Sequence, residues 1–185
     1  MGEGANLSWR SVYGRPVNRA RPIRIGVIAD THGLFDPAMH RHFHHVHHII
    51  HAGDIGTPSV IEQLKAMAPV TAVSGNVDGY DKSGFVTEAI IRLNGFRIAI
   101  RHVVFEAGKL TKEGRAFLER TKPDICIFGH THQPMNEWLG DTLLFNPGSA
   151  GPKRFTLPRT VGLISIGTRL SSKHIELLKL APVDL

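Results

Sequence analysis

The chain has 185 residues, of which 42% are hydrophobic and 21% charged, an ordinary globular composition that excludes a disordered or collagen-like chain. No apolar run approaches the roughly 18 residues needed to span a bilayer, and the single cysteine, Cys126, excludes an internal disulfide framework. The net charge of +6 resides mainly in the lead, where Arg10, Arg15, Arg19, Arg21 and Arg24 stand against Glu3 alone, which leaves the remainder nearly balanced.

Residues 1–22 read as a basic, mobile extension rich in Gly, Asn, Ser and Pro, and residues 23–185 as one domain. The near-neutral domain, without interleaved aromatic platforms, argues against a nucleic-acid partner. The lead has no long apolar segment with a small-residue cleavage site, so a cytoplasmic location without membrane attachment is expected. After Pro22, short apolar runs alternate with turn residues and helical stretches. Ile23–Ala29, Ile49–Ala52, Val70–Val73, Ile98–Ile100 and Ile125–Phe128 read as buried strands. Pro58–Met67 and Lys112–Arg120, the latter behind the cap Thr111, have helical spacing. Strands alternating with helices predict βα units and a largely parallel sheet.

Between them, Val86–Leu93 and Phe96–Ile100 flank Asn94-Gly95, a type I′ hairpin signal. A second antiparallel set is expected at Trp138–Phe145, Thr160–Ile166 and Lys173–Leu178. The elements together predict a mixed α/β sandwich with helices covering the sheets.

Five apolar runs each end in a metal-ligand type of side chain: Asp30-Thr31-His32, His51-Ala52-Gly53-Asp54, Gly75-Asn76, Arg101-His102 and Gly129-His130-Thr131-His132. In open α/β sheets the carboxyl ends of the strands form the ligand crevice, so these runs deliver their polar residues to one edge. Glycine before Asp54, Asn76 and His130 permits the sharp backbone that leaving a strand requires. In extended chain, alternate residues share a face, which would aim Asp30 with His32, and His130 with His132, at one point. Singly, such an Asp or Asn more often caps a turn. Jointly, clustered carboxylates and imidazoles are costly without a cation. Carboxylate, amide and imidazole donors without thiolate suit Mn, Fe, Zn or Ni, and this many donors implies two divalent ions. Two ions about 3.5 to 4 Å apart activate water and clamp phosphoryl oxygens.

The order Asp-x-His, Gly-Asp, Gly-Asn, His, Gly-His-x-His resembles the calcineurin-like metallophosphoesterases. The compact size, Gly-His-Thr-His and Asn146-Pro147-Gly148-Ser149 look like the small bacterial and archaeal phosphodiesterase branch. The resemblance spans Ile23 to about Leu178 and implies a four-layer α/β/β/α sandwich of two mixed sheets flanked by helices. It implies one ion on Asp30, His32 and His132, another on Asn76, His102 and His130, and Asp54 bridging both. An oxygen held opposite Asp54 would attack the phosphoester, with Asp54, Asn76 and His102 as the catalytic residues. Manganese is the first choice, with nickel, iron or zinc as alternatives, and the partner is a small phosphoester; self-association is open.

The sequence departs from that pattern in three places. Val77, not His, follows Asn76, which removes the usual proton donor and favours good leaving groups. Val103 follows His102 where relatives often carry Gly. The run His40, His42, His44, His45, His47, His48 and His51 reads as a solvated helix face ending in a buried His51 near the site. Asn146, Ser149 and Arg154 are expected to line the substrate. Two competing functions are an interaction scaffold similar to the eukaryotic retromer subunit of this fold, whose metal site is impaired, and a nuclease.

Overall fold

The computed structural model describes residues 8–11, 21–79, 84–153, 156–167 and 169–177. Thirteen strands and three helices follow one another in the described residues. One sheet runs β1 (Ser8–Ser11), β13 (Arg169–Glu176), β12 (Thr160–Ile166), β2 (Ile23–Ile28), β3 (His48–His51) and β4 (Val70–Ala72). The second runs β10 (Met135–Leu139), β11 (Thr142–Asn146), β9 (Ile125–Ile127), β6 (Phe96–Arg101) and β5 (Glu88–Leu93). A separate small hairpin joins β7 (Phe105–Glu106) to β8 (Lys109–Leu110).

Alternation along the strands builds the layers. Ile25 and Val27 of β2, Ile50 of β3, Ile98 and Ile100 of β6 and Ile125 and Ile127 of β9 point between the two sheets into one core. Their neighbours face outward. Ile28 and Ile49 pack with Val60, Ile61 and Leu64 of α2 (Pro58–Lys65) and Met39 of α1 (Ala38–His42). Ala99 and Cys126 pack with Phe117 of α3 (Lys112–Thr121). The result is the expected α/β/β/α sandwich. Gly162 lets Phe145 from the other sheet approach β12, since a Cβ there would meet its ring.

Each sheet contains three neighbouring parallel strands: β2, β3 and β4 in one, β6, β9 and β11 in the other. Antiparallel strands flank the second set on both sides and the first on one side, where β4 forms the other edge, and Asn94 and Gly95 close the β5–β6 hairpin with positive φ at both positions, 47° and 85°. The late strands differ from expectation in one respect. They form two hairpins in different sheets: β10–β11 joins the second sheet, and β12–β13, starting at Arg169 rather than Lys173, joins the first. Hydrophobicity alternation identifies a strand but not the sheet it enters. In the basic lead, Ser8–Ser11 pairs antiparallel with β13 as an edge strand. None of the described helices is long and apolar enough to cross a membrane.

Candidate metal centre

The six parallel strands end on a common edge. Asp30 follows β2, Asp54 follows β3, Asn76 follows β4, His102 follows β6, His130 and His132 follow β9, and Ser149 follows β11. Asp30, His32, Asp54 and His132 bring one donor atom each within 4.8 Å of one another. His132 Nε2 is 3.3 Å from Asp30 Oδ1 and 3.5 Å from His32 Nε2, and His32 Nε2 is 3.9 Å from Asp54 Oδ2. On the other side of Asp54, its Oδ1 lies 3.3 Å from His102 Nε2. Asn76 Oδ1 then sits 3.1 Å from His102 Nε2 and 3.0 Å from His130 Nδ1. The seven ligand candidates therefore form one connected group, in which Asp54 lies within reach of both His32 and His102.

Convergence is achieved by a different backbone from the extended one expected of Asp30-Thr31-His32 and His130-Thr131-His132. Asp30, His32, Asp54, His130 and His132 adopt φ of 54°, 47°, 55°, 70° and 58°. These are five of the eight non-glycine residues with positive φ among the described residues. Such conformations cost on the order of 1–3 kcal/mol each and persist only where the surroundings impose them. Asp and His tolerate the left-handed region better than most side chains. Left-handed turns, rather than strand alternation, aim the ligands.

The glycines before the ligands clear room for other ligands. A Cβ on Gly53 would lie 2.6 Å from His102 Nδ1, one on Gly129 would lie 2.8 Å from Asp30 Oδ2, and one on Gly75 would fall inside the Asp54 carboxylate.

Hydrogen bonds around the ligands fix their orientation. His102 Nδ1 is 2.7 Å from the Ala52 carbonyl, so this nitrogen donates to it and, in the neutral ring, Nε2 would turn its lone pair toward the site. The Val77 N–H donates to Asp54 Oδ1 at 3.1 Å, and the His130 N–H reaches both Asp30 oxygens at 3.3 and 3.2 Å. His51 is fully buried, and its Nδ1 accepts from the Gly53 N–H. Its Nε2 therefore donates to Thr31 Oγ1, which in turn donates to the Ile55 carbonyl. Burial pushes the His51 imidazole down to about 3, so it serves this chain as a neutral group. This matches the expected buried His51 near the site. The other histidines of its run do not join it: α1 ends at His42, and His40, His44, His45 and His47 are exposed.

Electrostatics in the centre favour a cation. Burial works to raise the Asp54 carboxyl, yet the His102 hydrogen bond and charge, the Val77 N–H and His32 hold it below its ordinary value. Burial likewise works to lower His102, but the bond to Asp54, the Asp30 and Asp54 charges and the Ala52 carbonyl raise it. The field that strengthens proton binding at His102 also favours a divalent ion at the same place. Vacated glycine positions, a donor set without thiolate and this field fit a metal centre.

Two of the residues expected to meet substrate do something else. Asn146 is fully buried; its Nδ2 donates to the Gly129 carbonyl (2.9 Å) and Thr131 Oγ1 (3.1 Å), and its Oδ1 accepts from the Gly148 N–H. Ser149 is 7% exposed and donates to the Asp30 carbonyl at 3.0 Å. Both hold ligand-bearing loops, and their polar atoms are turned into the protein. Arg154 lies outside the described residues. Sequence reasoning passed over Asp78, whose Oδ2 accepts from the Gly75 and Ile55 N–H groups and whose Oδ1 accepts from Gly56. It clips the loop carrying Asp54 to the loop carrying Asn76. Its place three residues after Gly75, as the second acid-or-amide of Asn76-Val77-Asp78, is a local turn signal.

Two layers of mixed sheet presenting a His, Asp and Asn centre at the carboxyl ends of parallel strands define a metal-binding α/β sandwich. Residues 23–169 match the family model described as the calcineurin-like phosphoesterase superfamily domain. A probable metallophosphoesterase of Methanothermobacter thermautotrophicus is 34% identical over 158 residues, covering 82% of this chain and 91% of that protein. The chain belongs to the calcineurin-like phosphoesterase superfamily. Its fold is that of solved relatives of lower identity. Vacuolar protein sorting 29 from Cryptosporidium parvum superposes with a TM-score of 0.72 at 18% identity, over 85% of this chain and 93% of that one. A structure described as a novel archaeal phosphodiesterase superposes with a TM-score of 0.67 at 23% identity, over 84% and 100%. The family binds divalent metals, and the cluster around Asp54 is this chain's candidate site for them.

Proposed function

We propose that this protein is a phosphodiesterase that holds two divalent ions, one on Asp30, His32 and His132 and the other on Asn76, His102 and His130, with Asp54 shared. The observation that carries this reading is the arrangement of donors on both sides of Asp54, with glycines vacating the space between strands. Manganese heads the candidates, since oxygen and imidazole donors without thiolate suit it alongside nickel, iron and zinc. When bound, the ions supply water activation at neutral pH and neutralise charge on the phosphoryl oxygens.

The chain's own residues set the rest. Asp54 is held ionised, ready to join the two halves. His102 is locked by the Ala52 carbonyl with Nε2 directed into the centre. Asn76 brings a neutral oxygen at the exposed rim, which adds no charge against an anionic substrate. Val77, 53% exposed beside it, offers no proton to a departing oxygen, so esters with acidic leaving groups are the favoured class. The intact ligand set weighs against a purely interacting scaffold, the alternative raised by the shared fold.

The test is hydrolysis of bis-p-nitrophenyl phosphate and p-nitrophenyl phosphate by metal-stripped protein refilled with Mn, Ni, Zn or Mg. Metal-dependent turnover, faster on the diester and lost in Asp54→Ala and His102→Ala, is the expected result. Folded protein without turnover under any metal would leave the scaffold.

A further inference from the structure

The two histidines of the half centred on Asn76 both present one nitrogen inward. For His102 the other nitrogen is anchored on the Ala52 carbonyl. For His130 the inward atom is Nδ1, 3.0 Å from Asn76 Oδ1, and the outward atom, Nε2, lies 3.6 Å from Glu106 Oε1. A histidine that gives one nitrogen to a metal carries its proton on the other, and that N–H is ordinarily held by a carboxylate, a carbonyl or water. Glu106 stands where His130 needs such an acceptor.

Glu106 does not arrive there by chance of a loose loop. The β7–β8 hairpin that bears it begins three residues after His102 and is closed at its base by Thr111, whose N–H and Oγ1 both donate to the Val104 carbonyl at 3.0 and 3.1 Å. Phe105 stacks on Phe128, with ring centroids 5.3 Å apart and an interplanar angle of 24°. Phe128 lies two residues before His130, so the stack registers the hairpin against the segment that delivers that ligand. Ala107 and Gly108 turn the chain with φ of 47° and 74°, giving a tight two-residue connection that keeps Glu106 beside the centre.

We infer that Glu106 is a positioning residue for the metal centre: the β7–β8 hairpin delivers its carboxylate to the outer N–H of His130, orienting that ring and strengthening the hold of the Asn76, His102 and His130 half on its divalent ion. This rests on the two-ion reading above. It predicts an asymmetric effect, because the ligand Glu106 lies against is His130, which belongs to the Asn76 half. Its side chain is 69% exposed, so its removal leaves the fold in place.

The experiment is a Mn2+ titration of chelator-stripped wild type, Glu106→Gln and Glu106→Ala, with free Mn2+ read by electron paramagnetic resonance and with thermal melting of the stripped proteins alongside. The expected result is an unchanged first equivalent, an unchanged melting temperature and a second equivalent weakened roughly tenfold in both variants, the lower end for outer partners of metal-bound histidines. A second equivalent with wild-type affinity in both variants would overturn the inference. So would equal weakening of both equivalents, or a drop in melting temperature, either of which would make Glu106 a general structural support. Failure of the two-ion reading shows separately, as wild type that takes up fewer than two ions.

Discussion

The half of the centre built on Asp30, His32 and His132 and the half built on Asn76, His102 and His130 share Asp54 but differ in charge and burial. The first contains a second carboxylate, Asp30, which is fully buried and whose oxygens also receive the His130 N–H. The second offers an amide at the exposed rim and depends on partners outside itself: the Ala52 carbonyl for His102 and Glu106 for His130. A cation is held mainly by opposite charge in a water-poor place, so the first half should fill before the second. On the two-ion reading, affinity and substrate access would be divided between the halves, the tight one set back and the weaker one at the opening.

Replacing Asp30 breaks the comparison most severely. Asp30→Ala should remove both ions, because it deletes a ligand of one half and a backbone anchor of the other, and the loss should exceed the roughly 10–100-fold that follows removal of an outer partner. Asn76→Ala should spare the first ion and lose only the second. Calorimetric titration with Mn2+ separates the two, and loss of both ions from Asn76→Ala would show that the halves fill as a unit.

Asp78 joins the halves without belonging to either. Asp78→Ala strands three N–H groups on the loops of Asp54 and Asn76, and with hydrogen bonds to charged groups contributing about 1.5–3 kcal/mol each before compensation by water, a loss of about 3 kcal/mol in urea unfolding is expected. A loss below about 1 kcal/mol would mean that water replaces the clip.

The smallest effect concerns the support of the first half by His51. With its folded value near 3 and its ordinary value at 6.5, His51 stays neutral in the folded protein while the unfolded chain takes up a proton below pH 6.5. Stability attributable to it is unaffected above pH 6.5 and falls by up to about 1.4 kcal/mol per pH unit between 6.5 and 3. His51→Gln removes this response, so the stability gap between wild type and variant should narrow by about 2 kcal/mol from pH 7 to pH 5. A gap independent of pH would exclude His51 as a source of acid sensitivity.

The ligands were legible because each closes an apolar run, and a buried strand followed by Asp, Asn or His is a pattern that survives in one dimension. Their mode of convergence was not. Asp30 and His132 enter the left-handed region without a glycine to announce it, and only the packed environment forces them there. Asn146 and Ser149 were expected to line the substrate and instead bond to the loops of Gly129 and Asp30, because a sequence does not say whether an amide faces a ligand or the wall behind it. The β7–β8 hairpin left no trace because strands of two residues have no period to read, and Glu106 became visible only when the Phe105–Phe128 stack set its register.

The positive φ values at Asp30, His32, Asp54, His130 and His132 have an evolutionary consequence. Each of these side chains sits at a backbone cost on the order of 1–3 kcal/mol, so in a descendant freed of any need for a cation, exchange for glycine or asparagine would relieve that strain.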